Sequence, residues 1–163
     1  MIHYREAVNV LDYDPESGEF FWKKRISNRI HVGDKAGRIS TDGYVIIGVM
    51  KALYYGHRLA WLMFTGEWPK DQIDHKNGDR ADNRIRNLRE ATNADNCQNK
   101  RIASTSNKST KLLGCYFHKP SGKFRAAIGI NGKNRHLGYF DTPDQAHAKY
   151  VEAKRELHRF CQI

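Results

Sequence analysis

The stretch KRIASTSNKSTKL, at residues 100–112, interrupts the hydrophobic pattern of this chain and limits what the chain can fold into. Apolar residues recur with helix or strand periods on both sides of it, whereas the stretch itself is filled with Ser, Thr, Asn and Lys, a composition typical of linkers. Hydrophobic residues make up 39% of the 163 residues, which is enough for compact cores but not for one large core. We therefore predict two small modules, at residues 1–99 and 113–163, joined by a basic linker at 100–112.

The segment after this linker has the pattern of a three-stranded sheet followed by a helix. The strand-like runs LGCYFHK, FRAAIGI and KNRHLGYF are separated by the turn KPSGK and by the hairpin signal Asn131-Gly132. Thr142-Pro143 predicts a helix N-terminus, with Gln145 placed to complete a capping box. The helix would carry an apolar stripe at steps of four and three residues, made of Ala146, Tyr150, Ala153, Leu157 and Phe160.

Charge is distributed unevenly along the chain and indicates an anionic partner. The formal net charge is +10, and residues 101–163 carry +8 of it. Positive charge on a segment that also has a folding pattern is typical of nucleic-acid binding. We expect no membrane partner, because the chain has no Lys-rich amphipathic helix, lipidation motif or long apolar run. Its three cysteines lack CxxC spacing and its first residues lack an apolar signal core, so we expect a soluble protein of the cytoplasm.

The first module is predicted to begin with strands and to continue into a helix. Residues 1–56 contain turn signals such as PESG and TDG between short apolar runs, which predicts strands and turns. The run HRLAWLMFTG at 57–66 changes to a helical period, and Gly66 is placed to end the helix. We expect Trp61, Leu62 and Phe64 to lie in the core of this module.

Residues 73–99, IDHKNGDRADNRIRNLREATNADNCQN, carry an unusual order of polar residues. The triplet Ile73-Asp74-His75 predicts the end of a strand, and the following KNGD predicts a turn. A short second strand at 87–91 would follow, and then a helix from about residue 93, with Thr92 as its cap. The local prediction is therefore strand, loop, strand and helix.

This segment contains the residue types that hydrolysis of a phosphodiester requires. A base must take a proton from water, and a neutral imidazole suits that task because its pKa lies near neutrality. A cation must offset the phosphate charge, and a carboxylate with an amide oxygen suits a hard ion such as Mg²⁺ while leaving coordination positions open. We predict His75 as the base, with Asp74 and Asn96 as ligands of the ion and Asn87 orienting His75. Neighbouring strand residues point to opposite faces, so Asp74 and His75 can serve one site only if the strand ends or bends there.

These residues resemble the HNH endonucleases, most closely the phage and intron-encoded homing type. The resemblance covers residues 57–99 and rests on Asp74-His75, NGD at 77–79, Asn83-Arg84, Asn87-Leu88-Arg89, Thr92, Asn96 and the upstream helix HRLAW. It implies a ββα-metal catalytic core in which His75 is the general base, Asp74 and Asn96 are metal ligands and Asn87 orients His75. Asn96 stands where many members have His, which favours Mg²⁺ or Mn²⁺ over zinc. The resemblance also implies 5′-phosphate and 3′-hydroxyl products, and the single site per chain predicts nicking by a monomer.

Residues 114–160 resemble the DNA-binding domain of the plant AP2/ERF transcription factors, through GKFRAAI and LGYFDTPDQAHAKY. The resemblance implies that the sheet lies in the major groove of double-stranded DNA. Strand alternation predicts that Phe124, Ala126 and Ile128 face the helix, with Leu137 opposite Ala126. The opposite face would contact DNA through Tyr116, His118, Lys123, Arg125, Asn134 and His136.

We thus predict an α+β protein with a strand-rich lead, a ββα-metal nuclease core and a C-terminal three-stranded sheet packed on one helix. Arg84 and Arg89 would contact phosphates beside the active site, or would instead belong to a solvated charged face. Asn83 competes with Asn87 for the role of orienting His75. Two other functions stay open: a catalytically inactive DNA-binding regulator on the same scaffold, and a basic RNA-binding protein. The lack of exposed aromatic residues beyond Tyr116 on the predicted binding strands counts against the second.

Overall fold

A computed structural model describes residues 1–130, 132–158 and 161 of the chain. Contacts divide the chain into two compact units, Met1–Thr92 and Asn93–Ile163. The division falls upstream of the linker predicted at 100–112, and the predicted domain bounds remain a prediction. Both units mix helices with strands, which agrees with the predicted α+β class. Among the described residues, no helix has the length and apolar character needed to cross a bilayer.

The first unit is built from short antiparallel strands and two α-helices. Its elements are α1 (Tyr4–Val10), β1 (Leu11–Asp14), β2 (Glu19–Trp22), β3 (Arg38–Ile39), β4 (Val45–Val49), β5 (Ala52–Tyr55), α2 (Gly56–Thr65), β6 (Gln72–His75), a 3-10 turn (Ile85–Asn87) and β7 (Leu88–Ala91). The strands pair as β1–β2, β3–β4–β5 and β6–β7. The prediction of strands and turns alone over residues 1–56 is wrong at α1. A helix forms there because the Glu6 carboxylate accepts the backbone N–H of His3 and caps the first turn.

One hydrophobic core joins these elements, and α2 contributes Leu59 and Leu62 to it. Gly66 ends α2 in the left-handed conformation (φ 85°), as predicted. Trp61 packs against the core while partly exposed, but Phe64 is 58% exposed, so the prediction that Phe64 is a core residue is wrong. Phe64 follows Leu62 by two residues, which turns its side chain about 200° around the helix, away from the core.

Two glycines let other segments approach Asn83 closely. At Gly18 (φ 76°), a Cβ atom would lie 2.4 Å from the backbone nitrogen of Arg84 and 2.6 Å from the carbonyl carbon of Asn83. At Gly56, the first residue of α2, a Cβ atom would lie 2.9 Å from Asn83 Nδ2. The Tyr13 hydroxyl also donates a hydrogen bond to the Asn83 carbonyl at 2.8 Å. The β1–β2 turn, α2 and Tyr13 therefore fix the position of Asn83.

The second unit contains a three-stranded antiparallel sheet and a long helix. Its elements are α3 (Asn93–Gln98), β8 (Cys115–His118), a 3-10 turn (Lys119–Ser121), β9 (Lys123–Ile130), β10 (Lys133–Phe140) and α4 (Pro143–Leu157), with sheet order β10–β9–β8. The predicted capping box at the start of α4 is confirmed, because Thr142 and Gln145 exchange side-chain and backbone hydrogen bonds at 3.3 Å. Asn131 of the predicted hairpin turn and Phe160 of the predicted stripe lie outside the described residues.

A β-bulge alters the predicted register between β9 and β10. Gly138, not Leu137, is the partner of Ala126, because the register shifts between His136 and Gly138. The prediction that Leu137 lies opposite Ala126 is therefore wrong by one residue. Leu137 still packs against the core between the sheet and α4, where Ala126 and Ile128 are fully buried, as alternation predicted.

Side-chain hydrogen bonds order the chain that precedes β8. Asn107 Nδ2 donates to the carbonyl oxygens of Leu112 and Cys115, both at 2.9 Å. Lys154 of α4 is buried, and its ammonium group donates to the carbonyl oxygen of Lys100. Residues within the stretch predicted as a linker are thus hydrogen-bonded to the sheet module of their own unit.

Candidate functional site

The antiparallel pair β6–β7 places Asp74 and His75 at the end of a strand. The register pairs Asp74 with Arg89 and His75 with Leu88. Asp74 and His75 are both buried, being 5% and 4% exposed. Since β6 ends at His75, the structure meets the condition under which neighbouring strand residues can serve one site.

Asp74 is held in a buried ion pair with Arg89. The guanidinium donates from Nε and Nη2 to Asp74 Oδ2, at 2.9 and 2.7 Å. Removing a carboxylate from water is unfavourable, and a charged partner that also donates hydrogen bonds offsets part of that cost. The pairing gives Arg89 a role that the sequence prediction missed, because Arg89 was expected either to contact DNA phosphates or to belong to a solvated charged face, and here it pairs with the candidate metal ligand.

The loop between β6 and β7 is closed by its own polar side chains. Arg84 donates from Nε and Nη2 to the two carboxylate oxygens of Asp82, at 2.8 and 2.5 Å. These bonds lower the pKa of Asp82, despite an opposing effect of burial. Arg84, the other predicted phosphate contact, therefore also holds a carboxylate of its own unit.

His75 lies in a buried group of aromatic and imidazole rings. Its Nε2 lies 3.5 Å from Asn83 Oδ1. The His57 ring packs edge-on to it, with centroids 5.1 Å apart, and the Tyr44 ring lies 6.0 Å away. Burial lowers the pKa of His75 below its usual value, while the hydrogen bond to Asn83 and the nearby Asp74 oppose that shift. The imidazole is thereby kept neutral and able to accept a proton.

Asn87 makes a different set of contacts from those predicted. Its Oδ1 accepts the backbone N–H of Asn77 at 3.0 Å, and its Nδ2 donates to the Asp82 carbonyl at 2.8 Å. Both bonds brace the loop rather than the His75 ring. The side chain that reaches His75 is Asn83, the competitor that the sequence had left open, and no local signal distinguishes the two asparagines.

The residue types available for a metal suit a hard ion with open coordination positions. Among the described residues, no group of three or more His, Cys, Asp or Glu side chains is placed to hold an ion. A carboxylate and an amide oxygen remain, and Mg²⁺ is commonly bound by few protein ligands together with water and phosphate oxygens. Asp74 supplies the carboxylate in β6, and Asn96 lies half-buried on α3 of the second unit. A carboxylate oxygen and an amide oxygen are each of the donor type that the predicted ion prefers.

The exposed face of the β8–β9–β10 sheet carries the residues predicted to bind DNA. The register pairs Tyr116 with Arg125 and His118 with Lys123, and pairs Asn134 and His136 with Gly129 and Ala127. All six predicted side chains therefore lie on the side of the sheet opposite the Ala126 core. Arg125 Nε donates to His136 Nδ1 at 3.3 Å, which ties the central strand to β10.

Sequence reasoning missed Tyr139 on this face. Tyr139 pairs with Arg125, is 44% exposed, and packs against His118 and His136 with ring centroids 4.9 and 4.7 Å apart. The bulge explains the omission, because it shifts the alternation of β10 by one residue after His136. Before the bulge, the even-numbered residues of β10 face outward. After the bulge, the odd-numbered Tyr139 faces outward.

Comparisons with known proteins identify one segment of the chain. The chain has no match among curated proteins or among solved structures. Residues 54–98, which include α2, β6, β7 and α3, match the family model described as HNH endonuclease. The match contains Asp74, His75 and Asn96, and agrees with the resemblance seen in the sequence over 57–99.

Proposed function

We propose that this chain is an HNH DNA endonuclease that hydrolyses phosphodiester bonds with the help of a divalent metal ion. The observation that carries the proposal is the buried pair Asp74 and His75 at the end of β6, inside the segment that matches the HNH endonuclease family. The homing type, encoded by phages or introns, is the group whose motif it resembles. We also propose a ββα-metal arrangement of β6, β7 and α3, and a cytoplasmic location.

In this mechanism His75 takes a proton from the attacking water. Asn83 Nδ2 donates to the Ala81 carbonyl at 3.3 Å, so its oxygen is the atom that faces His75 Nε2. An amide oxygen only accepts hydrogen bonds, so Nε2 carries the ring proton and Nδ1 keeps the lone pair. Nδ1 of His75 would then accept the water proton as the water oxygen attacks phosphorus and the 3′ oxygen leaves.

Asp74 and Asn96 would hold one Mg²⁺ or Mn²⁺ ion. When bound, the ion would offset negative charge on the phosphate and on the leaving 3′ oxygen. The Arg89 guanidinium lies against the buried Asp74 carboxylate, and a carboxylate oxygen is a ligand that a hard cation prefers. The products would be 5′-phosphate and 3′-hydroxyl ends, and a monomer would nick one strand, while a dimer or successive nicks could break both.

A supercoiled-plasmid assay tests the nuclease. Purified protein should convert the plasmid to open-circular or linear DNA with Mg²⁺ or Mn²⁺ and not with EDTA, and His75→Ala should abolish the conversion. His31→Ala is the matched control, because His31 is an exposed histidine of the same unit. Salt-sensitive duplex binding without cutting, retained in His75→Ala, would instead support the inactive DNA-binding regulator.

We further propose that the second unit binds double-stranded DNA with the exposed face of its sheet. Residues 101–163 carry a net charge of +8, which favours association with phosphates. The face offers Lys123 and Arg125 together with the hydrogen-bonding side chains His118, Asn134 and His136. The exposed Tyr139 also suits stacking on an unpaired base, so single-stranded RNA is the alternative partner.

Competition binding separates these partners. Anisotropy of a labelled duplex should be reversed by unlabelled duplex DNA at lower concentration than by single-stranded RNA of equal length. A preference for the RNA would show that this sheet binds RNA and not duplex DNA. The plasmid assay would still test the nuclease activity separately.

A further inference from the structure

His57 is a buried histidine that the mechanism above does not use. It lies in the first turn of α2 and is 8% exposed. Its Nδ1 has no hydrogen-bond partner among the described residues. A buried polar atom without a partner is unfavourable, so stability alone does not explain a histidine at this position.

Aromatic rings fix the orientation of His57. The ring stacks on Tyr55 with centroids 5.4 Å apart and an interplanar angle of 24°. The Tyr44 ring centroid lies 5.2 Å from that of His57 and 6.0 Å from that of His75. Because β5 ends at Tyr55 and α2 begins at Gly56, His57 and its stacking partner lie at one continuous strand-to-helix junction.

The contact between His57 and His75 is edge to face. The two ring centroids are 5.1 Å apart and the planes meet at 77°. Asn83 contacts His75 at one ring nitrogen, and Gly56, the residue before His57, allows the close approach of Asn83 to α2. His75 is thus limited by a hydrogen bond at Nε2 and by the His57 ring beside it.

His57 does not supply a charge to this site. Burial lowers the pKa of His57 to about 3, and His75 and Arg58 act in the same direction. The ring is therefore neutral over the working range of a nuclease, and its effect on His75 comes from its shape and position.

We propose that His57 is a positioning residue of the active site. Its flat ring packs against Tyr55 and Tyr44 and holds the His75 imidazole at the angle required to meet the attacking water. This inference rests on the proposed nuclease function. A small displacement of a base can lower a rate by up to about a hundredfold. We therefore expect loss of the ring to lower turnover and to leave DNA binding unchanged.

The test compares side chains of different shape at position 57. His57→Leu fills much of the volume without a flat ring, and should lower kcat about tenfold or more while KM for plasmid stays within about twofold. His57→Phe restores the ring without the nitrogens, and should recover kcat to within about threefold of wild type. Ile47→Val, a conservative change in the same core, should leave both constants unchanged.

The possible results separate this inference from the nuclease proposal. Wild-type kcat in folded His57→Leu overturns the positioning role, and so does a loss in His57→Phe as large as in His57→Leu. A wild-type protein that does not cut overturns the nuclease itself. In that case the NMR ring resonances of His75, recorded without DNA or metal, still test the contact: they should move in His57→Leu and stay in place in Ile47→Val.

Discussion

The depressed pKa of His57 predicts that acid destabilises the first unit. In the unfolded chain His57 titrates near its usual value of 6.5, whereas burial lowers the pKa in the folded unit to about 3. Below 6.5 the unfolded state binds a proton that the folded state does not bind. The contribution of His57 to the unfolding free energy is therefore complete above about pH 6.5 and is lost progressively as the pH falls towards 3.

The size of this effect follows from the two pKa values. One pKa unit corresponds to about 1.4 kcal/mol, so a change from about pH 7 to about pH 5 should remove about 2 kcal/mol of unfolding free energy through His57 alone. His57→Phe has no group to protonate at this position. Its loss of stability over the same pH change should be smaller by about 2 kcal/mol.

The tryptophans allow this measurement in the first unit alone. The three tryptophans, Trp22, Trp61 and Trp68, all lie within Met1–Thr92. Urea unfolding followed by tryptophan fluorescence, at each pH, gives the free energy for wild type and His57→Phe. Equal losses in the two proteins would refute the reasoning, because they would show that His57 does not remain neutral in the folded unit.

Three further results are expected from the contacts around the active site and the sheet. Arg89→Ala should lower the unfolding free energy of the first unit by about 3 to 5 kcal/mol, because it leaves Asp74 buried without the Arg89 guanidinium; a loss below about 1 kcal/mol in urea unfolding would contradict this. Asn83→Ala should reduce kcat for plasmid nicking about tenfold by removing the hydrogen bond at His75 Nε2, and unchanged kcat in the folded variant would show that another contact sets the tautomer. Arg125→Ala should weaken duplex binding and reduce the slope of log affinity against log salt by about one, whereas an unchanged slope would remove Arg125 from the phosphate contacts.

Sequence alone determined the features that depend on neighbouring residues. Thr142 and Gln145 predicted the start of α4, because a capping box needs only residues three positions apart. Gly66 predicted the end of α2 for a similar reason. Alternation along β8 and β9 separated the Ala126 face from the face of Arg125, since successive strand residues point to opposite sides.

Tertiary structure decided the contacts between residues that are distant along the chain or separated by a loop. The path of the β6–β7 loop determined that Asn83, and not Asn87, reaches His75. The bulge before Gly138 moved Tyr139 to the exposed face, which a constant period of two cannot predict. His57 meets His75 because α2 and β6 share one hydrophobic core, and Arg89 meets Asp74 because β7 pairs with β6 in one register. Local patterns state which residue types are present, but only the packing of whole elements brings a base, its supports and its charged partners to one place.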